Sequence, residues 1–146
     1  MKAFVLAEPG KVKWFDAPEP QLVPYGAILK PVAVTPCSSD VHTVFGGGSK
    51  KQDNLVLGHE CIAEVVSVGE NVCDFKTGDR VAVPAITPDW REKSIQEGND
   101  RHASAPFSGH QLGRTQPGVF SERFLIKDAD TTLAHIPQKI SEEQAL

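Results

Sequence analysis

Along this chain, hydrophobic and polar positions alternate over short stretches and seldom keep a helical period beyond two turns. Lys2–Leu6 and Lys11–Phe15 flank Glu8-Pro9-Gly10, where proline presets φ and glycine supplies a positive one, so the chain is predicted to open with a β-hairpin. Ala27–Thr35 is strand-like but interrupted by Pro31, which removes a ladder donor and predicts an edge strand or a bulge. Glu60–Val68 is apolar except near Glu64, the pattern of a strand buried on most of both faces. Arg80–Val83 reads as a strand fed by the turn Thr77-Gly78-Asp79, and Val119–Ile126 and Thr131–Ile136 read as two more. Between them Pro84–Gly118 is polar and aperiodic, which predicts a long excursion over the surface.

Two segments carry helix signals. In Ser38–Phe45, Val41, Val44 and Phe45 share one helical face while Ser39, His42 and Thr43 share the other. Gly46-Gly47-Gly48 is expected to stop that helix and to form a mobile loop. Ser141-Glu142-Glu143-Gln144 fits a capping box. Only Ala145 and Leu146 follow it, against about 11 residues in an average helix, so the chain is expected to be a fragment of a longer protein.

Composition narrows the class. The 146 residues suffice for one domain, and 12 glycines with 11 prolines argue against a helical bundle. Fifteen basic and nineteen acidic side chains give a net charge of -4 with no like-signed block, so nucleic acid and anionic membranes are not expected partners. No run approaches the roughly 18 apolar residues of a membrane span, and Glu8 arrives too early for a signal peptide; a cytoplasmic protein is expected. Cys37, Cys61 and Cys73 form an odd, widely spaced set that reads as reduced thiols, one of them a candidate metal ligand.

The chemistry concentrates in Pro36-Cys37-Ser38-Ser39-Asp40-Val41-His42 and Gly58-His59-Glu60. One thiolate, one imidazole and one carboxylate suit a zinc ion that keeps an open position. Spacing by itself leaves the alternative standing, since Cys37 and His59 match no zinc-finger pattern and also read as a small core residue and a hydrogen-bonded strand-end histidine. Ser39, His42 and Thr43 likewise read as a solvated face, and Asp40 as a local pair.

Taken together, Pro-Cys-Ser-Ser-Asp-Val-His, Leu-Gly-His-Glu, Val-Gly-Glu-Asn-Val, Phe-Lys-Thr-Gly-Asp-Arg-Val and Val-Pro-Ala-Ile-Thr-Pro-Asp-Trp resemble the medium-chain zinc alcohol dehydrogenases over residues 1 to 146, and within them the NADP-dependent secondary alcohol dehydrogenases. The resemblance implies a mainly β, GroES-like partial barrel with short helices. It implies Cys37 and His59 as ligands of a catalytic Zn²⁺, Glu60 as a carboxylate able to enter the coordination sphere, and Ser39 and His42 as a proton path. Ala85 and Ile86 would shape the substrate pocket, with His110 where relatives carry an aromatic residue facing the substrate. The substrate would be a small secondary alcohol or ketone, the hydride carrier NADP(H), and the intact protein a homo-oligomer, a tetramer by resemblance. His102 and His135 receive no role.

Three departures accompany the resemblance. Ala63 stands where the family pattern has glycine. Pro84–Gly118 lacks the four cysteines that bind a structural zinc in many relatives, so a single zinc is expected. The third ligand, an aspartate, and the Rossmann domain would lie beyond Leu146; within the chain Gly46-Gly47-Gly48-Ser49-Lys50-Lys51 fails the dinucleotide fingerprint, which needs glycine where Lys51 stands. The chain alone is therefore expected to be inactive. A different class of function, a non-enzymatic zinc-binding or assembly module on the same barrel, is the alternative.

Overall fold

The computed structural model describes residues 1–46, 54–98 and 109–146. In chain order the elements are β1 (Lys2–Glu8), β2 (Lys11–Asp16), β3 (Ala27–Thr35), α1 (Ser38–Phe45), β4 (Leu55–Val56), β5 (Glu60–Val68), β6 (Arg80–Val83), β7 (Ile86–Pro88), α2 (Lys93–Gln96), β8 (Gly109–Gln111), β9 (Phe124–Ile126), α3 (Ala129–Thr132), β10 (Ala134–His135) and α4 (Glu142–Ala145). The predicted hairpin forms between β1 and β2, with Gly10 at φ 78° in its turn.

β1 is the centre of a three-stranded sheet ordered β2-β1-β4, and β5 the centre of a five-stranded sheet ordered β10-β6-β5-β3-β9. β3 pairs with β5 along its length, with irregular register between Pro31 and Ala33, while β9 borders it only at Ala27–Leu29. Of the two expectations for the proline the bulge holds; β3 is not an edge strand, since it lies between β5 and β9, although β9 ends before it reaches Pro31.

The main core gathers Leu29, Cys61, Ala63, Val65, Val81, Val83, Phe124 and Ile126 from strands, with Val119 from the segment before β9. Ala63 is fully buried there, opposite Pro31 on one side and Val81 on the other; its methyl is core packing, away from the site donors. A smaller cluster of Leu6, Val44 and Leu57 seats α1 on the hairpin sheet.

Four other expectations need correction. On α1, Val44 is buried but Val41 and Phe45 are 55% and 73% exposed, and the second buried residue is Asp40. In a two-turn helix the i, i+4 line that touches the barrel is decided by contacts, and here an acid on that line is satisfied by backbone amides. The Pro84–Gly118 excursion is not irregular throughout, because β7 and β8 pair across it and α2 adds a turn; those partners are distant in sequence, so no local turn signal announces them. Val119–Ile126 is strand only at Phe124–Ile126: Val119 and Phe120 instead donate backbone bonds to Gly58 and Leu57. Thr131–Ile136 divides between α3 and β10. The capping box at Ser141 is formed as predicted, and Gly46 ends α1, whereas the mobile loop expected at Gly47 and Gly48 lies outside the described residues.

Candidate metal centre

Cys37 is the N-cap of α1, held extended at φ -97° and ψ 158°, so its side chain leaves the first turn where the β3 end meets the helix. His59 and Glu60 come from the other direction, at the turn that starts β5. The chain reaches that turn through Gly58, whose φ of 89° is left-handed, and a Cβ there would lie 2.3 Å from the Phe120 ring. Only glycine fits both conditions. Gly58→Ala is therefore expected to lower stability by about 1–3 kcal/mol and to displace His59, measured as a lower thermal midpoint together with weaker metal binding.

These two segments bring Cys37 Sγ, a ring nitrogen of His59 and a carboxylate oxygen of Glu60 within 4.8 Å of one another, all three half-buried. Ligand atoms on a tetrahedral zinc stand about 3.6 Å apart given its usual bond lengths, so small side-chain adjustments close the set. Among the described residues this is the one group of three or more such donors.

Asp40 ties the two segments together. Its carboxylate accepts from the Cys37 backbone N–H at 2.9 Å and from the Gly58 backbone N–H at 3.1 Å, and one of its oxygens lies 3.4 Å from His59 Nδ1. A carboxylate beside the ring nitrogen is the kind of outer partner that orients a metal-binding histidine. Sequence reasoning gave Asp40 only a local pairing. The usable signal was its position, an acid three residues after the N-cap, from which a carboxylate reaches back to the start of the helix.

Ser39 completes the cluster. Its hydroxyl is 3.2 Å from His59 Nε2, and its hydroxyl and backbone amide, followed by His59, hold the Cys37 thiol below the usual cysteine range. Cys61, by contrast, is buried in the core, which pushes its thiol up to about 12 and leaves it inert as a ligand. Cys73 is exposed and distant from the set in the fold, with its backbone N–H bonded to Asp130.

The remaining predicted site residues are placed less uniformly. His42 is exposed, makes no hydrogen bond to Ser39, and turns its ring toward Gly46 at the other end of α1. Ala85 and Ile86 follow β6, whose Val83 pairs with Cys61, so the chain turns away beside Glu60. Ile86 then pairs with Gln111, and the neighbouring Thr87 with His110. The β7–β8 ladder thus holds Ile86 and His110, and Ala85 lies at its end, where its carbonyl accepts from the Leu112 amide. Buried Thr87, which sequence reasoning passed over, belongs to the ladder.

The sequence pattern of the alcohol dehydrogenase GroES-like domain matches residues 24–138. The chain belongs to that family. As a GroES-like domain it is 47% identical over all 146 residues to the NADP-dependent isopropanol dehydrogenase of Thermoanaerobacter brockii and 43% identical to that of Clostridium beijerinckii, spanning 42% of the length of each. The zinc dependent alcohol dehydrogenase 2 from Streptococcus pneumonia, in its apo form, superposes with a TM-score of 0.85 at 30% identity, covering 99% of this chain and 41% of that one. Galactitol-1-phosphate dehydrogenase from Escherichia coli reaches the same TM-score at 22% identity, a likeness of fold alone over 99% of this chain and 40% of that one. No helix among the described residues is long and apolar enough to cross a membrane.

Proposed function

We propose that this chain carries the metal-binding part of an NADP-dependent secondary alcohol dehydrogenase, which interconverts secondary alcohols and ketones. The observation that carries the reading is the convergence of Cys37, His59 and Glu60 in a chain 47% identical to an isopropanol dehydrogenase. A lowered thiol, an imidazole oriented through Nδ1 and a nearby carboxylate suit Zn²⁺, with Glu60 entering or leaving the set. When bound, zinc supplies Lewis acidity that makes an alcohol hydroxyl easier to deprotonate.

In the overall reaction the alcohol loses a proton to the protein and a hydride to NADP⁺, giving ketone and NADPH. Ser39, beside both Cys37 and His59, takes the proton at its hydroxyl oxygen as it gives its own hydroxyl proton onward toward His42. His42, three residues along α1 and open to solvent, releases it to water; its ring must swing from Gly46 or receive the proton through a water. Ala85, Ile86 and His110 line the substrate side, and the enzyme works as a homo-oligomer with one zinc per chain. Within these 146 residues three cysteines are too few for a four-cysteine structural site.

The test is a chimera in which these residues replace the matching 42% of the Thermoanaerobacter brockii enzyme. It is expected to reduce acetone with NADPH, whereas the 146-residue chain alone is expected to show no such activity. A folded, NADP-binding chimera without ketone reduction would contradict the reading.

A further inference from the structure

The excursion after β6 leaves the barrel through a short strand held at both ends. At the near end the Leu112 amide donates to the Ala85 carbonyl at 3.1 Å, and Leu112 is itself part of the core. β7 then runs three residues against β8, with Pro88 opposite Gly109 as the last pair. A proline brings no ladder donor to that pair, so the outgoing end of β7 is the weaker one.

Beyond Pro88 the chain closes into a small knob. The Asp89 carboxylate accepts from the Arg91 amide at 3.0 Å, the Asp89 carbonyl accepts from the Glu92 amide at 3.0 Å, and Gln96 Nε2 donates to the Trp90 carbonyl at 2.8 Å. None of the four α2 residues is buried, so that turn gives the knob little apolar footing. The Arg91 guanidinium supplies a polar one: its Nη1 and Nη2 donate to the two oxygens of Asp128 at 3.0 and 2.8 Å. Asp128 is firmly mounted, because it lies between the core residues Ile126 and Ala129, and the Ala129 amide donates to the Tyr25 carbonyl. It is the N-cap residue of α3, yet its carboxylate makes no cap bond there. A guanidinium that spans both oxygens of a carboxylate fixes direction as well as distance.

We propose that Arg91 is a positioning residue for the substrate side: its fork on Asp128 pins the outgoing end of β7 to the barrel and thereby fixes the strand that carries Ile86. The inference rests on the reading of Ile86 as a pocket residue. Cys37, Ser39, His59 and Glu60 lie in or beside α1 and at the start of β5, segments the fork does not touch. Loss of the fork therefore loosens substrate binding and leaves the chemical step in place, which reads as a higher KM at an unchanged kcat. An isolated exposed ion pair does little. Here the guanidinium is 63% exposed but its carboxylate partner only 16%, and the bidentate geometry adds orientation to the attraction.

The experiment has two arms. In the 146-residue chain, amide hydrogen exchange is followed by mass spectrometry over residues 85–92 and, as an internal control, over Glu60–Val68. In the chimera with the Thermoanaerobacter brockii enzyme, KM and kcat are measured for acetone. Arg91→Ala is expected to speed exchange over residues 85–92 by roughly three- to tenfold, between the effect of an ordinary exposed pair and that of a charge-assisted hydrogen bond, with the control segment unchanged. KM is expected to rise by a similar factor while kcat stays within about twofold. Arg91→Lys, which keeps the charge but cannot span both oxygens, is expected to behave as Arg91→Ala. The double variant Arg91→Ala with Asp128→Ala is expected to be no worse than either single one, because the two side chains act as a unit. Exchange indifferent to Arg91→Ala, full recovery by Arg91→Lys, or a fall in kcat at unchanged KM overturns the proposal. An unsubstituted chimera that folds, binds NADP and reduces no acetone counts against the dehydrogenase reading instead, and the exchange arm still decides whether the fork pins β7.

Discussion

Cys37→Ser is expected to weaken zinc binding by about a hundredfold or more, beyond the 10- to 100-fold that loss of an outer partner costs a metal site. The reason is the loss of the soft donor. Cys61 is buried with its thiol pushed up to about 12, and Cys73 is exposed with its amide tied to Asp130, so neither replaces Cys37. A serine hydroxyl keeps the shape of the N-cap but ionises far above neutral pH. The fold should therefore survive while the affinity falls. Competition with a chelator measures the affinity, and the thermal midpoint of the metal-free protein checks the fold. In the wild type the affinity should fall as pH drops, because protonation of Cys37 competes with metal, and the loss should begin below the ordinary thiol range since Ser39 holds that pKa down. Cys37→Ser should lack this thiol-linked dependence.

Asp40→Asn is expected to cost both stability and metal affinity, which separates it from Cys37→Ser. Asp40 is 7% exposed, and its two oxygens face three nitrogen groups, the amides of Cys37 and Gly58 and the Nδ1 of His59. Asparagine offers one oxygen and turns an N–H₂ toward at least one of those donors. A buried donor left facing a donor costs about 1–3 kcal/mol, which for a domain of this size lowers the midpoint by several degrees. Metal affinity should drop about 10- to 100-fold, because the histidine loses the carboxylate that sits beside its ring and ties its segment to Cys37. Asp40→Ala should be worse in stability, leaving both amides without an acceptor. A wild-type midpoint and affinity in Asp40→Asn would show that the carboxylate is incidental to the site.

Much of this fold is legible where its cause is local. The hairpin at Pro9-Gly10, the strand Glu60–Val68, the strand Arg80–Val83 and the bulge at Pro31 follow from turn chemistry and from runs that two neighbours cover. The β7–β8 ladder does not, since Ile86 meets Gln111 only after the excursion has folded back. The site shows the same division. Cys37, His59 and Glu60 were legible as residue types flanking turns, and the geometry brings their donors together. Asp40 was legible only as a local pair, which its bond to the Cys37 amide bears out; its contacts to Gly58 and His59 come from a second segment, 18 or more residues away, and give it a buried place. The face of α1 was misread for the matching reason: with Asp40 and Val44 on the barrel, Val41 and Phe45 turn outward.

On the proposed reading, one thiolate, one imidazole and a carboxylate of this chain hold one metal ion. X-ray absorption at the zinc edge, on protein loaded with one equivalent of Zn²⁺, reads that ligand set. The predicted spectrum has a single sulfur at about 2.3 Å and nitrogen or oxygen neighbours at about 2.0–2.2 Å, with the sulfur lost in Cys37→Ser. A shell containing no sulfur, or more than one, would rule that ligand set out.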